Sequence, residues 1–245
     1  MEKREPLMDQ AYFDARVAYN RERLKSMEEL YATLTTPAAN KARYRYSIYR
    51  KHFEFLILRY SRGEPVAELA EFFPRVVENL EAYEPPDGEK RLDFHENIDE
   101  YEDALWLVSL ALLFEVDDDL FERLLALIDN EGEDELYERL VGARAPGRRA
   151  ASALLYPKPY KLLLRATEAS AGEREAFVAE FLRVWYPSMA DAYWHESHRG
   201  PDGGGFFGYW CIEAAGAVRA FGIDDASFRE MRHYPKDLVS PGRAG

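Results

Sequence analysis

Apolar residues recur at intervals of three and four along almost the whole chain, and this spacing restricts the fold more than any other sequence feature. The first three stretches of this kind contain Phe13, Val17, Leu24, Met27 and Tyr31, then Ala42, Tyr46, Tyr49, Phe53, Leu56 and Tyr60, then Val66, Leu69, Phe73, Val76 and Leu80. Alternating β-branched runs joined by hairpin turns are missing. The sequence therefore predicts an all-α, bundle-like protein without significant sheet.

Helix boundaries agree with this pattern. Thr36 and Pro37 can cap and open a second helix, Gly63 can end it, and Pro65 can open a third. The segment 85–88 is a predicted loop, followed by a fourth helix over about 93–114 and a fifth near 120–128. Further candidate helices cover about 148–155, 160–167, 173–185, 187–194 and 207–221. Since Pro146 lies in a short irregular stretch, we predict two helical regions, 1–142 and 143–245.

Composition excludes several classes of protein. With 47% hydrophobic and 31% charged residues, the chain has the profile of a globular protein rather than a disordered one. Its single cysteine, Cys211, excludes an internal disulfide framework and predicts a reducing compartment such as the cytoplasm. The longest apolar run, 104–114, is too short to span a bilayer. The charged N-terminus does not resemble a signal peptide, so we expect no membrane association.

The charge of the chain is negative and concentrated in one stretch. The totals are 45 acidic against 32 basic residues, a net charge of -13, which argues against direct binding of nucleic acid. Between Glu84 and Arg139 there are 20 acidic and four basic residues, whereas residues 1–63 contain 13 basic and eight acidic ones. This acidic block is either a partner-facing surface or a face that keeps the protein soluble.

Four carboxylates of the predicted fourth helix, Glu96, Asp99, Glu100 and Asp103, recur at positions i, i+3, i+4 and i+7. Such a cluster could bind Mg²⁺, as in helical nucleotide pyrophosphohydrolases. At about 100° per residue, however, these side chains lie within about 60° of Glu96, while the apolar positions lie at about 120–180°. Metal ligands of a helical bundle project inward. We therefore predict an outward acidic face, no metal site and no catalytic residue.

Asp117, Asp118 and Asp119 extend this acidic surface at the start of the next predicted helix, where we expect at least one of them to act as the N-cap.

The C-terminal part contains two motifs that only superficially suggest chemistry. His195 and His198 flank a glutamate but are three residues apart, unlike the histidines of the H-E-x-x-H zinc motif. The three consecutive glycines 203–205 lack the Gly-Lys-Ser/Thr ending of a phosphate-binding loop. Glu213 lies in an apolar run with Cys211, so it must be hydrogen-bonded if it is buried. We predict structural roles for these residues and no cofactor.

A set of sequence motifs in a fixed order resembles the PoNi family, the immunity proteins of polymorphic nuclease effectors of bacterial secretion systems. The resemblance runs from about Tyr44 to Val239 and is carried by these segments: Arg59–Val66 (RYSRGEPV), Asp99–Leu113 (DEYEDALWLVSLALL), Trp194–His198 (WHESH), Gly208–Ala215 (GYWCIEAA), Gly222–Phe228 (GIDDASF) and Tyr234–Leu238 (YPKDL). The last four motifs lie in the C-terminal region and are the most distinctive.

The resemblance implies an all-α, cytoplasmic protein that binds and inhibits a DNase effector and is not an enzyme. We predict structural roles for these residues of the motifs: Trp194, His195, His198, Tyr209, Trp210, Glu213, Asp224, Asp225, Tyr234 and Asp237. The partner-contact residues are predicted from charge alone: Glu96, Asp99, Glu100, Asp103, Asp117, Asp118 and Asp119. A metal-dependent nucleotide hydrolase and a plain helical scaffold are the alternative hypotheses. The oligomeric state is not predicted.

Overall fold

The computed structural model describes residues 2–86 and 88–239, and within these ranges it contains α-helices, two single-turn 3₁₀ helices and no strand. The α-helices are α1 (Gln10–Thr33), α2 (Ala38–Arg62), α3 (Val66–Glu81), α4 (Ile98–Leu113), α5 (Asp118–Ile128), α6 (Glu135–Gly142), α7 (Pro157–Glu168), α8 (Ala171–Ser188) and α9 (Ile212–Phe221). The predicted all-α fold is confirmed. Asp87 of the predicted loop lies outside the described residues. No described helix is both long enough and apolar enough to cross a membrane.

The chain forms two compact units. The first contains Met1–Arg91 and Glu196–Gly208, and the second contains Leu92–His195 and Tyr209–Gly245. The predicted division after residue 142 falls at the end of α6, inside the second unit. The boundary after residue 142 therefore differs from the boundaries of the compact units. The two predicted helical regions, 1–142 and 143–245, stay a prediction.

In the first unit, α2 packs against both α1 and α3. The predicted apolar positions of α1 supply its buried stripe, which includes Phe13 and Val17. Gly63 ends α2 as predicted, in the left-handed conformation (φ 105°), and its N–H donates to the carbonyl of Tyr60. The segment 196–208 belongs to this unit: the hydroxyl of Ser61 donates to the Phe207 carbonyl at 2.6 Å.

In the second unit, α4 is enclosed by α5, α6 and α9, and every residue from Tyr101 to Leu113 is buried. A helix that is apolar on all sides is expected to lie in a core, and residues 104–113 carry no charge. Helices α7 and α8 form a second packed pair. Gly216 of α9 lies against Ser109 of α4, so the backbones of these two helices approach closely.

Several predicted helix boundaries in the second unit are wrong. Helix α4 begins at Ile98 rather than near residue 93, because the Asn97 side chain caps it by accepting the N–H of Glu100. Residues 148–155 are not helical. Their backbone groups bond instead to the start of α6, where the Ala153 carbonyl accepts the N–H of Glu135 at 2.8 Å. The predicted helix 187–194 is also wrong, because residues 189–194 form irregular turns after α8. Helix α6 is missing from the predicted helices.

Candidate partner-binding surface

The four carboxylates predicted to form one outward face of α4 occupy different environments. Glu96 is exposed, Asp99 and Glu100 are half-buried, and Asp103 is only 4% exposed. The prediction that all four point away from the core is therefore wrong for Asp103. A helical wheel assumes that one side of a helix meets solvent, whereas α4 is surrounded by other helices from Tyr101 onward.

The carboxylates at the beginning of α4 are held in place by backbone donors. Oδ1 of Asp99 accepts the N–H of Tyr193 at 2.9 Å, and Oε2 of Glu100 accepts the N–H of Asp93 at 2.6 Å. Tyr193 itself is 47% exposed. Because these contacts restrict the side chains without burying them fully, their negative charges have fixed positions at the surface.

A half-buried phenol lies among these carboxylates. The hydroxyl of Tyr156 donates to the Phe94 carbonyl at 3.0 Å. Burial raises the pKa of Tyr156, and nearby negative charges raise it further, those of Asp93, Asp99, Glu100 and Glu96 in decreasing order. We call these four acidic residues the acidic end of α4. Their joint effect on one phenol indicates a negative electrostatic potential at this end of the helix.

The second acidic set, Asp117, Asp118 and Asp119, is exposed and begins α5. Asp117 is the N-cap, and its Oδ1 accepts the N–H of Leu120 at 2.8 Å. The prediction that at least one of the three caps the helix is confirmed. Asp118 forms an ion pair with Arg144 at 2.7 Å. We call these three residues the acidic start of α5.

The two acidic sets lie near opposite ends of α4. This helix has 16 residues, so its ends are about 24 Å apart. A typical interface buries about 800 Å² on each partner, which corresponds to a patch about 30 Å across. One partner is therefore large enough to reach both sets, but each set must be tested separately.

The predicted structural residues have varied exposure. Trp194, Tyr209, Trp210, Glu213 and Tyr234 are buried, His195, His198 and Asp225 are half-buried, and Asp224 and Asp237 are exposed. The ring of His195 stacks on Tyr186 with centroids 4.4 Å apart. His198 belongs to the first unit, where its ring lies 6.0 Å from that of Phe206. The hydroxyl of Tyr234 donates to Asp225 at 3.1 Å.

Glu213 is the centre of a buried hydrogen-bond network. It is fully buried, and it accepts the indole N–H of Trp185 on Oε1 at 2.6 Å and that of Trp106 on Oε2 at 2.7 Å. This arrangement meets the requirement that a buried carboxylate be hydrogen-bonded. Burial raises the pKa of Glu213 to about 7. Burial, followed by the charge of Glu213, also raises the pKa of the Cys211 thiol, which disfavours the reactive thiolate.

A second buried carboxyl group, Glu102, was not identified from the sequence. It is 1% exposed, and its Oε2 accepts the indole N–H of Trp194 at 2.6 Å. The signal in the sequence was its position two residues before the start of the uncharged run 104–113, because such a run indicates a helix enclosed on all sides. Among the described residues, no three His, Cys, Asp or Glu side chains are arranged to hold a metal ion.

Comparison with known proteins accounts for nearly the whole chain. The family model described as "PoNe immunity protein (PoNi), N-terminal" matches residues 4–126, and "PoNe immunity proteins (PoNi), C-terminal" matches residues 132–238. The fold is similar to the crystal structure of protein PA2201 from Pseudomonas aeruginosa, with a TM-score of 0.72 and 20% identity over 97% of this chain and 90% of that chain. No curated protein matches the sequence. Because the two family models together cover both halves of the sequence, the chain belongs to the PoNe immunity protein (PoNi) family.

Proposed function

We propose that this protein binds a cognate nuclease effector, inhibits it, and so protects the cell that produces both. Family membership carries this proposal, because the matched description is that of an immunity protein and extends over residues 4–126 and 132–238. On this proposal the protein acts by binding in the cytoplasm, where the effector would reach DNA, and it needs no catalytic residue or cofactor of its own.

The distribution of charge supports a binding mode. A nuclease attracts the DNA backbone with basic side chains, so its groove favours a negatively charged protein surface. The stretch from Glu84 to Arg139 has 20 acidic residues against four basic ones. Complementary charge also accelerates association, which matters for an inhibitor that must act before its target cuts DNA.

We propose that the docking surface consists of the acidic end of α4 and the acidic start of α5. The carboxylates of Asp99 and Glu100 are oriented by backbone N–H groups, so they lose little conformational freedom on binding. Tyr193, bonded to Asp99 through its backbone and 47% exposed, supplies an aromatic ring of the kind enriched at binding hot spots. Asp103 is buried, so it adds negative charge to this region without contacting the partner directly.

The proposal predicts that the gene of a nuclease effector adjoins the gene of this protein, and it is tested first by co-expression of the two. We expect the two proteins to purify together, and we expect the purified protein to block DNA cleavage at equimolar concentration. If the nuclease neither binds the protein nor loses activity in its presence, the proposed function is wrong.

Charge reversal then tests the surface. Glu96 and Asp119 are exposed, so E96K and D119K should leave folding intact. Each variant should weaken binding about fivefold, because one exposed charge contributes about 1 kcal/mol to the binding free energy. Glu180, an exposed residue of α8, offers the matched control E180K, which makes the same change of charge outside both acidic sets. If all three variants bind equally well, the two acidic sets are not the docking surface.

A further inference from the structure

Three of the chain's four tryptophans direct their indole N–H groups at two buried carboxyl groups of the second unit. Trp185 and Trp106 donate to Glu213, and Trp194 donates to Glu102. The indole rings are also stacked, with centroids 5.3 Å apart for Trp185 and Trp194 and 6.4 Å apart for Trp106 and Trp194. The network therefore joins α4, α8, α9 and the turn after α8.

Neither carboxyl group has a cationic partner among the described residues. The titratable groups that act on the pair are Asp99, Tyr101, Asp103, Tyr160 and Cys211, and those whose rings lie beside its tryptophans are Tyr186, His195, Tyr209 and His233. The two aspartates repel a further negative charge. Burial raises the pKa of the Tyr101 and Tyr160 phenols and of the Cys211 thiol, which keeps them neutral, and it lowers the pKa of His233 to about 4, so this ring is also neutral at neutral pH. Two buried negative charges would therefore share one hydrogen-bond network without an ion-pair partner among the described residues.

The hydrogen bonds indicate which of the two groups holds a proton. Both oxygens of Glu213 accept an indole N–H, and such donors stabilise a carboxylate. Glu102 accepts only one, and its Oε1 is buried without a hydrogen-bond partner among the described residues. A buried hydroxyl without an acceptor costs about 1–3 kcal/mol, which is less than the several kcal/mol of an uncompensated buried charge. Protonation at Oε1 of Glu102 is therefore the less costly state.

We propose that Glu102 and Glu213 form a proton-holding pair, in which Glu102 carries a proton on Oε1 in the folded protein, and that loss of this proton destabilises the second unit. Burial and the charge of Glu213 raise the pKa of Glu102 well above its usual value, in agreement with this assignment. A carboxyl group whose pKa is higher in the folded than in the unfolded state favours folding most strongly below its unfolded pKa of about 4.5. That contribution is lost as the pH rises through the folded pKa.

The proton-holding pair does not depend on the proposed function, but it lies next to the proposed docking surface. Trp194 follows Tyr193, and Glu102 lies one turn after Asp99, so the Trp194–Glu102 hydrogen bond stands beside the bond that orients Asp99. Loss of the proton would therefore loosen the part of the surface that includes Asp99.

The decisive variant is E102Q, because a carboxamide imitates the protonated carboxyl group. Its oxygen can accept the indole N–H of Trp194, and its nitrogen occupies the position of the unpartnered Oε1. We expect E102Q to remain folded and to gain stability relative to the wild type as the pH rises from 5 to 9. The number of protons linked to unfolding in this range should fall by about one. E180Q makes the same exchange at an exposed position of α8 and is the matched control.

Urea unfolding at a series of pH values measures this linkage, and tryptophan fluorescence reports on the second unit because all four tryptophans belong to it. Equal proton linkage in E102Q and the wild type would overturn the proposal. Infrared spectroscopy of the folded wild-type protein provides a test that needs no variant. A protonated carboxyl band at pH 7 that is weaker in E102Q than in the wild type supports the proposal, and a band of equal intensity in the two proteins, or none in either, overturns it.

Discussion

Replacing Gly216 by alanine should destabilise the second unit, although alanine favours helices. An ideal Cβ at residue 216 would lie 2.9 Å from Cα of Ser109 and closer still to the Ser109 side chain. Ordinary contacts of a Cβ atom begin at about 3.4 Å, so the backbone of α4 would have to move by about 0.5 Å or more. Because both α4 and α9 are enclosed by other elements, this displacement has to be absorbed within the core.

The expected magnitude combines three effects. Overpacking of a core costs about 1–3 kcal/mol. Trp106 and Glu213 each lie one turn before the contact, so the displacement also lengthens their 2.7 Å hydrogen bond, at a cost of about 1–2 kcal/mol. The higher helix propensity of alanine raises the free energy of unfolding by about 1 kcal/mol and so offsets part of this cost. The net loss for G216A should therefore be about 1–4 kcal/mol in the free energy of unfolding.

Urea denaturation followed by tryptophan fluorescence measures this loss. G172A is the matched control, because Gly172 is exposed in the first turn of α8 and a Cβ there meets nothing within 4 Å. It should be as stable as the wild type or slightly more stable. Combining G216A with S109G removes the obstructing side-chain atoms and should restore at least about 1 kcal/mol, which a double-mutant cycle detects. If G216A unfolds at the same urea concentration as G172A, the close crossing of α4 and α9 is refuted.

Two other side chains give separate predictions. Asp134 accepts hydrogen bonds from the Tyr101 hydroxyl and from the backbone N–H groups of Tyr137 and Leu155, so D134A should lower the free energy of unfolding by about 3 kcal/mol; a loss below about 1 kcal/mol in urea denaturation would contradict this network. Burial lowers the pKa of His233 from 6.5 to about 4, so the neutral ring's contribution to stability is present above pH 6.5 and is lost as the pH falls towards 4. An NMR titration of the folded protein should show this low pKa, and a value near 6.5 would disprove the assignment.

The helices of the first unit could be predicted because their signals are local. Apolar spacing defined the buried stripes of α1 to α3, and Gly63 adopts a conformation that few other residues tolerate. The role of Thr36 was predicted less well. Helix α2 has no side-chain cap, and its N-cap residue is Pro37. Capping depends on the orientation of one side chain, which spacing alone does not determine.

The errors in the second unit arise where distant contacts determine local structure. Helix α6 has only eight residues, and its N-cap, Asp134, also bonds to Leu155. That contact explains both errors in this region, since it stabilises a short helix that the apolar pattern does not predict and keeps the segment 148–155 extended beside it. A short helix depends on such tertiary contacts because its own propensity is too small to maintain it.

The exposure of the acidic residues at α4 could be predicted from the sequence only in part. The helical wheel placed Asp99 and Glu100 outward, and both are half-buried, whereas it does not apply to Glu96, which lies before the N-cap Asn97. It failed for Asp103, because the wheel contains no information about how many neighbours surround the helix. The network of Glu102 and Glu213 requires tryptophans from three separate parts of the chain, and no spacing rule brings these together.

Buried and exposed residues carry different information about the partner. Four residues in the motifs that resemble the family, Trp106, Trp194, Tyr209 and Glu213, are buried, so a bound protein does not contact their side chains. They pack inside the second unit and stabilise its helical fold. If the proposed docking surface is correct, the nuclease recognises this protein through exposed side chains such as Glu96 and Asp119. Exchanging exposed acidic residues should therefore change which effector is bound, whereas changes in the tryptophan network should alter stability first.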